Sequence, residues 1–142
     1  MKSFYFAILT AVVWGITPII EKIGLTSKTM DPVAGVIFRS IGSFLAGVIL
    51  FFIVLKYFPS SLKNVEHKAI YFLMTGGILA SVIGQVFFYI SLKGGNASVV
   101  TPISGTYPLI TFILGVFLLG ETVNIQKILG VVFIVLGVIF LK

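Results

Sequence analysis

Residues 32–55 read PVAGVIFRSIGSFLAGVILFFIVL, and Arg39 is the one charge among them. A bilayer core about 30 Å thick takes roughly 20 apolar residues as helix. To either side of this stretch the pattern repeats. Apolar runs cover Phe4–Leu25, Ala69–Leu92, Val99–Leu119 and Ile125–Leu141 as well. The third and fourth runs carry no charge at all. Charged residues make up 10% of the chain, against about 25% in soluble domains. These runs predict an all-α integral membrane protein with five transmembrane helices over 4–25, 32–55, 69–92, 99–119 and 125–141. The gaps between runs leave room for a single transmembrane domain, 1–142.

Several classes of chemistry are excluded. The net charge of +6 comes from lysines lying between apolar runs. They read as topology and headgroup anchors, not as a nucleic-acid surface. No cysteine is present, which removes thiol and disulfide chemistry. His67 is the only histidine, and the four carboxylates are spread along the chain. No metal site, catalytic group or cofactor site can be assembled, so the chain is not read as an enzyme. Lys2 followed by an apolar run resembles a signal peptide at its start. No small-residue cleavage site follows, so Phe4–Leu25 is read as a spanning helix.

Local signals set the helix ends. Asp31-Pro32 fits a cap followed by the first turn of the second helix. Lys93-Gly94-Gly95-Asn96 separates the third helix from the fourth, and Gly120–Asn124 makes a tight hairpin before the fifth. Call the side holding the N-terminus side A. Tyr5, Tyr57 and Tyr71 then flank helix ends on that side, as in an aromatic belt. Lys2, Lys56, Lys63, Lys68 and Lys127 also lie on side A, with Lys22, Lys28, Lys93 and Lys142 on side B. A bias of one lysine predicts weak orientation or insertion both ways. Many transporters pair two halves of opposite orientation around a midplane site. No internal repeat is visible here, so the chain reads as one half. A second, inverted copy would complete an antiparallel homodimer of ten helices.

Polar residues in a bilayer are costly and face a cavity or a partner helix. Arg39 lies seven residues into its helix, roughly 10 Å from side B. Gln85, Tyr89, Thr101, Ser104 and Tyr107 fall in the B halves of their helices, which predicts a wet cavity open toward side B. Glu21 is the natural partner of Arg39, as a buried pair or in substrate recognition and coupling. Gly35, Arg39, Ser43 and Ala46 share one helix stripe, mostly small, that lets a neighbour approach closely. Gly77, Ser81 and Gly84 make another small stripe, read as helix packing. Gly130 and Gly137 in the last helix are read as packing or dimer contact. Pro102 and Pro108 each remove a backbone hydrogen bond from the fourth helix. In a membrane this is tolerated where cavity water or neighbours satisfy the freed carbonyls, which marks a bendable, polar-lined segment.

The chain resembles the EamA domain of the drug/metabolite transporter superfamily. The resemblance rests on Trp14-Gly15, Lys22, Arg39, Tyr89–Ser98, Pro102, Tyr107-Pro108, Leu118–Glu121 and Gly130 with Gly137. It implies secondary transport of small metabolites, often export of amino acids or related solutes, by a multi-pass protein of the cell (inner or plasma) membrane. Family members commonly carry two such domains, and this chain has one. The resemblance places Trp14, Gln85, Tyr89, Pro102, Ser104 and Tyr107 in a central substrate cavity. Glu121 matches the family's Gly-Glu and is read as a cap for the last helix. Two other functions are open at this point. A flippase for a lipid-linked head group would use a similar bundle, and a non-transporting assembly subunit would need no polar cavity.

Overall fold

A computed structural model describes residues 2–141. Every regular element among the described residues is helical. Five helices run in chain order: α1 Lys2–Leu25, α2 Pro32–Tyr57, α3 His67–Gly94, α4 Ala97–Leu119 and α5 Ile125–Ile139. The first four are long and apolar enough to cross a membrane. The fifth, with 15 residues, spans only about 22 Å at 1.5 Å per residue. It ends two residues before the expected limit at Leu141, where Phe140 and Leu141 form a turn.

The distribution of side chains matches a lipid solvent. Phe44, Leu73, Phe117 and Leu118 are each at least 70% exposed. Water would penalise such a surface, whereas hydrocarbon wets it. Among the described residues the buried hydrophobic core holds only Leu25, Val36, Tyr89 and Leu92. The chain is an integral membrane protein.

Two compact units divide the fold: Ile20–Lys93, and Met1–Ile19 with Gly94–Lys142. Within Ile20–Lys93, the end of α1, the start of α2 and the end of α3 meet around that core. Asp31 starts α2 as its sequence suggests. Its Oδ1 accepts from the Val33 and Ala34 N–H groups at 2.8 and 3.4 Å, and Pro32 occupies the first turn. Gly35 allows the closest approach. A Cβ there would stand 3.1 Å from both Leu25 Cδ2 and Tyr89 Cδ2.

Two helices are interrupted. α3 widens into a π-helical segment at Leu79–Gly84, between α-helical arms His67–Ile78 and Gln85–Gly94. In the other unit, α4 breaks at Gly105-Thr106 into arms Ala97–Ser104 and Tyr107–Leu119. Pro108 has no N–H to donate across that break. The Gly105 and Thr106 N–H groups bond back to Thr101 and Ile103 oxygens at 2.8 and 3.2 Å. α4 closes on Gly120, whose φ of 66° is the left-handed conformation that glycine adopts at no steric cost.

The hairpin to α5 differs from expectation. Asn124, not Glu121, caps α5, and its Oδ1 accepts the Lys127 N–H at 2.8 Å. The reason is position. A cap must immediately precede the first helical residue, Ile125, and Glu121 stands three residues too early. Its carboxyl instead lies over Gly115, where a Cβ would come within 3.3 Å of Glu121 Cδ.

Candidate functional site

A polar cluster sits in the Ile20–Lys93 unit, built by three apolar helices. Glu21 comes from the last turns of α1, Arg39 from the second turn of α2, and Gln85 and Tyr89 from the second arm of α3. Arg39 Nε donates to Glu21 Oε1 at 2.9 Å. Gln85 Nε2 lies 3.4 Å from both Glu21 oxygens, a long approach that brings a further donor to the same carboxylate. The Glu21 side chain is 11% exposed and that of Arg39 30%. A carboxylate this shielded needs its cation close, because moving a lone charge into low dielectric is costly. Tyr89, one turn beyond Gln85, is buried against Gly35.

The pair leaves the guanidinium incompletely satisfied. Arg39 Nη1 is shielded from solvent and meets no acceptor among the described residues. A hollow of about 340 Å³ runs beside Arg39, along Ser40 and Ser43 of α2 and Met74, Gly77, Ile78 and Ser81 of α3. So Gly77 and Ser81, which read as packing residues, line an open groove between α2 and α3. Gly84, third in that sequence stripe, does not line it.

Lys22 has a use that depth alone does not reveal. Its Nζ donates to the Leu92 and Lys93 carbonyl oxygens at 2.6 and 3.2 Å. The Lys93 ammonium in turn reaches the Met30 carbonyl in the loop before α2. The last carbonyls of a helix have no partner within it, and lysines supply one here. The sequence signal is a lysine in the last turn of α1 facing a helix that stops at Gly94-Gly95.

The remaining candidate residues lie in the other unit. Trp14 and Tyr107 are exposed, at 61% and 53%. Thr101, Pro102 and Ser104 belong to the first arm of α4, and the Thr101 hydroxyl is buried with no partner among the described residues. Tyr107 and Pro108 begin a larger hollow of about 510 Å³, which follows the second arm to Leu119 and Glu121. Its walls are mostly apolar, with Thr111 and Glu121 among the exceptions. No group of three or more metal-ligating side chains occurs among the described residues.

Comparison with known proteins gives these features a setting. The model of the EamA-like transporter family matches residues 1–142. An uncharacterized protein of Methanocaldococcus jannaschii is 29% identical over 99% of this chain and 96% of its own length. An uncharacterized transporter of Clostridium kluyveri is 27% identical over 93% of this chain, but only 41% of its own length. One of Methanothermobacter thermautotrophicus is 28% identical over 96% of this chain and 42% of its own length. The chain thus spans about two fifths of the relatives that are named transporters. No solved structure matches it.

Proposed function

The chain belongs to the EamA-like transporter family, and on that basis we propose that it carries a small metabolite across the cell membrane. The substrate is an amino acid or related solute, moved outward by alternating access. The observation that carries this reading is the Glu21–Arg39–Gln85 cluster, held between three helices that otherwise present hydrocarbon-compatible surfaces. A lipid-facing scaffold gains nothing from ionised groups at that depth, since each must be desolvated or paired. Transport does, because a pair able to open and re-form can hold a solute in one state and release it in another.

The functional unit in this reading is an antiparallel homodimer, with one membrane domain from each copy. Relatives named transporters have more than twice the length matched here. A second copy, inverted, supplies the other half in this reading, and Trp14, Gln85, Tyr89, Thr101, Pro102, Ser104 and Tyr107 are the candidate substrate contacts. The interrupted helices α3 and α4 fit a protein whose halves rock around a fixed site.

Two measurements test this. Single cysteines replace Ser61, in the loop between α2 and α3, or Asn96, between α3 and α4. Intact cells are then labelled with a membrane-impermeant thiol reagent. Insertion both ways labels each site in part of the population. Labelling of one site alone would exclude the self-inverted dimer. For transport itself, proteoliposomes loaded with an unlabelled mixture of amino acids and short carboxylic acids should take up the labelled mixture by exchange. Absence of exchange for every solute tried, in vesicles holding correctly folded protein, would overturn the transport reading.

A further inference from the structure

The groove beside Arg39 is chemically lopsided. Its lining joins the Arg39 guanidinium, Ser40, Ser43 and Ser81 to the apolar Met74 and Ile78. Arg39 is the only charged residue that lines it. The single carboxylate nearby, Glu21, is engaged by Arg39 Nε and approached by Gln85 Nε2. Meanwhile Arg39 Nη1, on another edge of the same guanidinium, has no acceptor among the described residues. A guanidinium carries five donors in a rigid fork, and a buried donor without a partner is costly.

We infer that the α2–α3 groove seats the carboxylate of a small apolar monocarboxylic acid, with Arg39 holding the anionic group and Met74 and Ile78 lining its hydrocarbon tail. Charge-assisted bonds from a guanidinium to a carboxylate are among the stronger hydrogen bonds available to it. No acidic residue lines the groove, so a net anion is favoured over a zwitterion or a cation. Among amino acids and their relatives, the groove thus selects the acid that lacks the amine. The volume of about 340 Å³ lies at the low end of ligand pockets, which run from about 300 to 1,000 Å³. That suits a branched acid of a few carbons. The inference rests on the transport reading only for its purpose, since the groove, its charge and its unpaired donor stand without it.

Glycine geometry supplies a clean block. A Cβ at Gly77 meets nothing within 4 Å, and neither does one at Gly76, which does not line the groove. Gly77→Leu therefore adds bulk at the groove with no clash at its Cβ, and Gly76→Leu is its matched control. The full chain in phosphatidylcholine nanodiscs would be titrated by calorimetry with 3-methylbutanoate, 3-methylbutylamine, 3-methylbutanol and leucine. The expected result is binding of the acid alone. Gly77→Leu weakens it about tenfold or more, and Gly76→Leu leaves it unchanged. Arg39→Gln strands Glu21 and can misfold, so the double variant Glu21→Gln/Arg39→Gln serves instead. It keeps a neutral hydrogen-bonding pair and should lose the acid.

Failure of the acid to bind, binding that survives Gly77→Leu, or equal binding of leucine or the amine would each overturn the proposal. Anionic lipid offers the same chemistry from another source. If phosphatidylglycerol nanodiscs abolish acid binding and Gly77→Leu selectively loses bound phosphatidylglycerol by native mass spectrometry, the groove belongs to a headgroup and the proposal falls. Solute exchange in proteoliposomes reads out separately. Exchange without acid binding removes only this inference, and acid binding without any exchange removes only the transport reading.

Discussion

Gly35 shows how much a single absent carbon decides. It sits where α1, α2 and α3 converge, and a Cβ there would press on Leu25 and on two ring carbons of Tyr89 at 3.1–3.2 Å. Both neighbours belong to the small buried core, at 2% and 4% exposure. Helical glycine to alanine ordinarily gains about 0.5–1 kcal/mol. At Gly35 the crowding should reverse the sign, since overpacking costs about 1–3 kcal/mol. Gly42, on the same helix, has open space within 4 Å of where a Cβ would stand, and should show the ordinary gain. Thermal melts of purified Gly35→Ala and Gly42→Ala in one detergent check this. The expected outcome is a lower midpoint for the first and an equal or higher one for the second. The sequence carries this contact only in outline. Small residues at Gly35 and Ser43 announce a close approach, but not which side chain makes it. The Glu21–Arg39 pairing is more legible, because an ionised residue within an apolar run demands a counter-charge and only one acid lies at that depth. The unpaired Nη1 is not, because a hydrogen-bond shortfall depends on rotamers that no spacing rule supplies.

The two interrupted helices differ in how openly they are written. α4 advertises its break through Pro102 and Pro108, residues that cannot complete a helical ladder. α3 gives no comparable sign. Its π segment, Leu79–Gly84, lacks proline and charge, so the helix reads as continuous, with faces advancing at a constant 100° per residue. A π segment holds about one residue more than the α-helix it replaces. Residues beyond it, Gln85 and Tyr89 among them, are therefore turned relative to that reading. Gly84 itself suits the site, since a Cβ there would stand 3.3 Å from the Leu79 carbonyl oxygen. Removing one residue inside the segment should let α3 become regular while both arms keep their places. Removing one beyond it should not. Deletion of Val82 is expected to preserve folding and the Glu21–Gln85 approach, with a melting midpoint within a few degrees of the parent. Deletion of Phe87 turns Tyr89 and Leu92 by about 100° out of the core and separates the Leu92 carbonyl from Lys22. It should give protein that aggregates during size-exclusion chromatography. Equal behaviour of the two deletions would show that the extra residue is not housed at Leu79–Gly84.

Across the chain as a whole, orientation and function are joined by charge. On the five-crossing reading, lysines number five on side A and four on side B. Two of the four on side B are engaged by backbone carbonyls of their own unit. Lys22 holds the end of α3, and Lys93 the loop before α2. Their positions are therefore constrained by folding as well as by topology, and adjusting the balance falls to exposed lysines such as Lys28 and Lys63. An antiparallel dimer requires both orientations in one membrane, so a strong bias either way should silence it. Adding lysines at Ser27, Thr29 and Asn96 while replacing Lys63 by glutamine gives side B seven against four. Replacing Lys28 and Lys142 by glutamine lowers side B to two against five. Each variant alone should insert mostly one way and lose solute exchange. Co-expressed, the two supply opposite halves, and exchange should return toward the parent level. That recovery separates an inverted pair from a parallel one, because two chains of fixed and opposite orientation cannot rebuild a parallel dimer. Recovery with both variants labelled from the same side, or full activity of either alone, would overturn the antiparallel arrangement and leave the Arg39 groove to be explained within a single chain.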